Sequence, residues 1–146
     1  MSQKKLLQVC QIWISKLISD ARYVSLSTWT KEENRKRVPV WVALLDDGRV
    51  GFITGNKTWK VRRILRNPSV EIQPCNFKGA LNKDSEGCVG VARVVDAGEK
   101  EYTLIKNAIR KKYGIQDLLV GFFGQFSKKY GEDCAVVISL ENETLS

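Results

Sequence analysis

A mainly antiparallel β domain carrying flanking helices, of the α+β class, is the architecture this sequence predicts. Three observations predict it. Short runs rich in β-branched and aromatic residues recur along the chain with turn residues between them, the mark of strands joined as hairpins. Helical periodicity is confined to the start, one short insert and the C-terminal third, so the alternation that βαβ units require is missing. Neither GxGxxG nor GxxxxGK(S/T) is present, which removes the dinucleotide and P-loop folds. Six strands on this reading form a small barrel or sandwich, and 146 residues suffice for one domain spanning 1–146.

The elements follow in order. Across residues 4–19, Leu6, Leu7, Cys10, Ile14, Leu17 and Ile18 fall at spacings of three and four, an amphipathic helix with one face on a core. Strands are predicted at 23–28, 38–45 and 49–54, the last two joined through Asp46-Asp47-Gly48, a hairpin signal. The period then changes to helical over 57–66 and stops at Asn67-Pro68, because proline bars the preceding residue from helical geometry. Strands return at 69–75 and 88–96, separated by a polar loop at 76–87. Helices at 99–113, with Tyr102, Ile105 and Ile109 on one stripe, and at 118–130 cover the sheet, and a strand at 135–140 closes the fold.

Composition narrows the chemistry. The chain contains no histidine, which excludes an imidazole general base, a Ser-His or Cys-His couple and a histidine ligand to zinc or haem. Twenty-four Lys and Arg against sixteen Asp and Glu give a net charge of +8, a bias toward phosphates and carboxylates. Cys10, Cys75, Cys88 and Cys134 form no CxxC pair and are too sparse for a disulfide framework, so reduced thiols and a cytoplasmic location are expected. No apolar stretch approaches the roughly 20 residues of a membrane span, and the first residues lack the layout of a cleaved signal. A membrane partner is not expected.

The densest chemical signal is Thr54-Gly55-Asn56-Lys57-Thr58-Trp59-Lys60-Val61-Arg62-Arg63, which runs from a strand end through a small-residue turn into a short helix. Val61, Ile64 and Leu65 share one arc of that helix, and Lys60, Arg62, Arg63 and Arg66 occupy the other. An ordinary solvated helix would look similar. However, Lys57 and Lys60 lie at the positive end of the helix dipole, where cations are disfavoured by a few tenths to about 1 kcal/mol unless an anion is present. Thr54 and Thr58 add hydroxyls, and Gly55 lets backbone approach a ligand, so the segment suits a phosphate. Upstream, Val38-Pro39-Val40-Trp41 puts proline inside a strand and so confines that strand to an edge, where free backbone groups and a tryptophan suit a planar ring. A core tryptophan on a half-buried strand fits the same pattern.

These residues, taken with Ser25-Leu26-Ser27-Thr28, Lys60 to Val70, Gln73-Pro74-Cys75-Asn76-Phe77-Lys78-Gly79 and Gly90-Val91-Ala92-Arg93, resemble the pyridoxamine 5'-phosphate oxidase-like flavin and deazaflavin oxidoreductases over roughly residues 20–96. The resemblance implies a six-stranded split β-barrel of the FMN-binding-protein type. It also implies a homodimer holding FMN or coenzyme F420 in a groove between subunits, with the proline-tryptophan strand closer to the F420 branch. On that pattern Val40 and Trp41 line the ring, Thr54 and Lys57 lie near the ribityl chain and phosphate, and Lys60 and Arg63 neutralise the phosphate. Gln73, Cys75, Lys78 and Gly79 belong to a strand and loop that close over part of the cofactor. Two departures stand out: the charged run 31–37 replaces a glycine-containing hairpin, and Trp59 stands where a small residue is common.

Hydride transfer to or from a small organic substrate is the cofactor's own chemistry and demands no side-chain base. No catalytic residue is assigned, because Tyr23, Tyr102, Tyr113 and Tyr130 all sit at core spacing. Two other readings compete: a carrier or sensor that binds the cofactor without catalysis, and a basic barrel binding single-stranded nucleic acid through Trp29, Trp41 and Trp59 with Lys31, Arg35, Lys36 and Arg37. Along the chain the cations are dispersed without a tracking stripe, so nucleic acid is not an expected partner.

Overall fold

The computed structural model describes residues 16–18, 20–83, 85, 87–114 and 130–141. Of the helix expected at 4–19, only 16–18 and 20 are described, and they are helical. The helix expected at 118–130 lies outside the described residues except for Tyr130. The elements are β1 (Tyr23–Trp29), β2 (Arg35–Val40), β3 (Ala43–Leu44), β4 (Val50–Gly55), α1 (Trp59–Arg66), β5 (Ser69–Cys75), β6 (Cys88–Asp96), α2 (Lys100–Tyr113) and β7 (Asp133–Leu140).

All ladders are antiparallel, and the strands form one sheet in the order β2-β1-β5-β6-β7-β4-β3. The two edge strands, β2 and β3, are consecutive in the chain and separated only by Trp41 and Val42. A sheet whose opposite edges are joined by so short a tether has to curl until they meet, and that makes it a barrel split along one seam. Pro39 sits on the edge strand β2, as its missing N–H requires.

The sheet has seven strands, not the predicted six. The run 38–45 is broken at Trp41-Val42 because α2 takes over the backbone there. Val42 N–H donates to Tyr113 Oη at 3.2 Å, and Val42 C=O accepts from Lys112 Nζ at 2.7 Å and from Tyr113 Oη at 3.1 Å. The second difference is β2, which begins at Arg35 inside the charged run. It pairs with β1 out to Trp29↔Arg35 across a turn in which Thr30 N donates to Asn34 C=O at 3.0 Å.

Alternation along the strands sorts the core into two layers. Val24, Leu26, Val50, Phe52, Val70, Ile72, Val136 and Ile138 face inward and fill the barrel, with Ile18 and Ile64 packed into the same cluster. Ile53, Val95, Ala135 and Val137 face outward under α2, whose Tyr102, Ile105, Ile109 and Tyr113 form the second layer. Among the described residues no helix is long and apolar enough to cross a membrane.

Candidate cofactor site at the barrel split

The seam itself is the first feature of the site. β3 pairs with β4 only at Ala43↔Gly51 and Leu44↔Val50, before the chain leaves to pair β2 with β1. From Phe52 to Gly55, β4 therefore keeps β7 as its ladder partner and leaves its other edge unpaired among the described strands. Continuing the β3–β4 register brings Trp41 and Val40 level with Ile53 and Thr54 on the far side of the gap. Backbone donors and acceptors thus line both walls of the seam.

At the end of β4, Thr54 is 8% exposed and pairs with Cys134. The turn after it is tied to the approach to β7. Asn56 N donates to Glu132 C=O at 2.8 Å, Lys57 N to Tyr130 C=O at 2.8 Å, and Glu132 N to Asn56 Oδ1 at 3.1 Å. Glycine is required on both sides of this tie: a Cβ on Gly55 would come 2.5 Å from Tyr130 C=O, and one on Gly131, which has φ +86°, would collide with Asn56 Oδ1.

Thr58 occupies the N-cap position of α1, but its hydroxyl donates backward to Gly55 C=O at 2.9 Å, so the first-turn amides have no side-chain cap and no acidic residue beside them. Lys60 projects from that turn into a half-buried position. Burial pushes its ammonium below the ordinary lysine range, and it makes no hydrogen bond or ion pair with any described residue. Next to it, burial, helped by Asp96 and Asp133, raises the Cys134 thiol to about 11, so that sulfur is neutral and does not compensate the lysine. Lys57 is exposed, and the Arg63 guanidinium lies 5.9 Å from the Trp59 ring.

The other predicted residues are placed as follows. Val40 points into the barrel core, and the Trp41 ring stacks on Tyr113 at 4.5 Å and 5°, with Tyr23 tilted against it at 6.5 Å. Both therefore offer the seam backbone more than side chain. Val40 pairs with Val24 and Val24 with Pro74, so Gln73 and Cys75 flank the same row two strands on. Gln73 Nε2 donates to Ser85 C=O at 3.0 Å and thereby pins the 76–87 loop. Cys75 is buried, which raises its thiol pKa. Lys78 and Gly79 form a turn organised by Asn76 Oδ1, which accepts from Lys78 N at 2.9 Å and Ala80 N at 3.0 Å, and Gly79, with φ +89°, sits against Pro39. The structure thus gathers Thr54, Lys57, Lys60 and Arg63 at one turn and sets Gln73, Cys75, Lys78 and Gly79 beyond the opposite wall.

Three residues of consequence were given no place in the site from sequence. Ser25 is 2% exposed, yet its Oγ has no hydrogen-bond partner among the described residues; it lies on the outer barrel face between Pro39 and Gln73. The serines at alternate positions of an otherwise apolar strand were the available signal. Lys112 and Tyr113, which hold the seam's corner, resemble any basic helix end. Two open pockets also lie among the described residues: one of about 490 Å³ between the β3–β4 hairpin and α2, and one of about 510 Å³ lined by Leu17, Ile18, Pro74, Asn82 and Ser85.

No family model matches the sequence, and no curated protein matches it. Solved structures do match the fold. An F420 reductase aligns with TM-score 0.61 at 15% identity, covering 88% of this chain and 93% of its own. A pyridoxamine 5'-phosphate oxidase-related, FMN-binding protein from Nostoc punctiforme aligns with TM-score 0.55 at 14% identity, covering 96% and 81%. HutZ, the heme storage protein from Vibrio cholerae, aligns with TM-score 0.64 at 13% identity, covering 89% of each chain. The chain therefore has the split-barrel fold that these flavin-, F420- and heme-related proteins share.

Proposed function

We propose that this chain is an oxidoreductase that binds FMN or coenzyme F420 at the barrel split, as a homodimer, and serves hydride transfer to or from a small organic substrate. The observation that carries the reading is Lys60, a partly desolvated ammonium without an anionic partner among the described residues, beside an uncapped helix start. A phosphate group would supply the missing charge and accept the free amides. Lys57 and Arg63 add cations to the same turn, Thr54 its hydroxyl, and the open edges of β2 and β4 meet the polar rim of a flat ring. Gln73, Cys75, Lys78 and Gly79 close the cofactor from the other wall. When bound, the ring supplies the hydride chemistry; the protein's share is to bind, orient and exclude water. Cys75 and Cys134 are buried, and a cytoplasmic setting belongs to the same proposal.

Two of the fold's relatives concern heme, which makes heme the second reading. It needs an axial ligand, and a chain with no histidine lacks the commonest one. That favours the flavin-type cofactor.

The test is a side-by-side titration with FMN, F420 and hemin, on wild type and Lys60→Ala. Losing one charge-assisted contact costs about 1.5–3 kcal/mol, so the variant should bind its cofactor at least about tenfold more weakly while melting at a similar temperature. Unchanged affinity in Lys60→Ala, or saturation by hemin alone, would sink the proposal.

A further inference from the structure

Beside the site, a basic surface is formed by the outward arc of α1 and the adjoining end of the β1–β2 hairpin. Along the exposed arc of α1 stand Leu65, Arg62, Arg66 and Trp59, with Arg63 of the cofactor site at its border and no acidic residue anywhere in the helix. Trp59 is 66% exposed, and the guanidinium of Arg62 lies 5.0 Å from its ring. Arg66 Nη2 donates to Trp29 C=O at 3.1 Å, joining the helix to the strand end where Arg35 lies 5.4 Å over the Trp29 ring. Lys36 and Arg37 follow on the exposed edge strand. Arg62, Arg66 and Arg35, which the sequence separates by some thirty positions, thus meet around two indoles, and Arg37 shares the Arg35 face of β2 while Lys36 takes the other. Among the described residues only Arg35 of this set is in a salt bridge, with Glu71.

We infer that this surface binds single-stranded nucleic acid, with bases stacking on Trp59 and phosphates taken by Arg62, Arg66 and Arg37. An exposed indole beside arginines that have no salt bridge among the described residues is what a flexible polyanion with π-faced bases recognises. A second copy of this chain is a poor occupant, because a two-fold contact would set like charges against each other. An anionic membrane fits less well, since the apolar groups of the arc, Trp59 and Leu65, have arginines between and against them. Trp41, stacked on Tyr113, takes no part. None of the residues named for nucleic acid is among those proposed to hold the cofactor, so either reading can fail alone.

Anisotropy of a labelled oligothymidylate of about 12 nucleotides, titrated with the full chain, tests the inference. Neutralising about three phosphates on a single strand gives a log–log salt slope near −2, so raising salt from about 50 to 200 mM should weaken binding about twentyfold. Arg62→Glu should weaken it at least tenfold with FMN or F420 affinity unchanged. Arg37→Glu, on a different element, should do the same, and circular dichroism checks that each variant folds. No binding at about 100 µM protein in low salt overturns the inference. So does affinity that both folded variants retain, equal affinity for a duplex of the same length, or binding confined to anionic vesicles.

Discussion

Two lysines illustrate how burial and partners set a residue's role. Lys60 is desolvated without a described partner, and Lys112 is desolvated but donates to Ala21 C=O at 2.8 Å and Val42 C=O at 2.7 Å. The first is suited to a ligand and the second to architecture. Burial lowers the Lys112 ammonium to about 8 from an ordinary 10.5, a shift only partly opposed by Asp20. Because the folded state releases this proton before the unfolded one does, the penalty is full below pH 8 and fades as pH rises toward 10.5. Counter-effects begin near pH 9, where an unfolded Cys134 thiol ionises while the buried one, at about 11, keeps its proton; Tyr113, raised to about 12, follows above pH 10. Chemical denaturation of wild type relative to Lys112→Met should therefore show wild type gaining about 1–2 kcal/mol between pH 7 and pH 10, the full shift being discounted for solvent screening. A flat difference would mean that Lys112 is not desolvated.

At the level of elements, α2 keeps the seam open. Val42 would extend a continuous strand if its N–H and C=O found a ladder, but the Tyr113 hydroxyl and Lys112 ammonium bond them instead, and that hydroxyl also donates to Arg22 C=O at 2.8 Å. Tyr113→Phe keeps the stacking on Trp41 and strands a buried amide, so it should cost about 1–3 kcal/mol in urea denaturation. If α2 also positions the seam wall, cofactor affinity should fall with it; a variant as stable as wild type would show that Val42 finds other partners. The turn at 55–58 is held the same way, by partners about 75 positions away on the approach to β7.

At the level of the whole molecule, the described residues of the barrel provide two walls of the proposed site. The cationic turn lies on one side, the 73–79 segment on the other, and Ser25 Oγ is buried on the outer face with no hydrogen-bond partner among the described residues. On the proposed reading a second subunit completes the groove. Sedimentation should show a dimer, and a saturating cofactor at about 100 Kd should stabilise it by about 2.7 kcal/mol. A monomer that binds FMN or F420 with full affinity would remove the dimer from the proposal.

Much of this was legible in the residues alone. The strands at 69–75 and 88–96 and the helix from about 100 to 113 fall where alternation and period put them, because those signals are local. The 54–63 segment stood out for the same reason: its small residues, hydroxyls and cations are contiguous. Three features were not legible, since each depends on partners distant in sequence. The break at Trp41-Val42 is made by α2, the pairing of the charged 35–37 stretch by Trp29 and its neighbours, and the engagement of the Trp41 ring by Tyr113. Sequence by itself determined which segments alternate and which coil, where the charge lies and which imidazole chemistries are absent, because these are properties of near neighbours and of composition. Only the tertiary structure decided where the barrel splits, which lysine lacks a described partner and which cations share a surface, because pairing, desolvation and proximity exist only once distant segments are packed together.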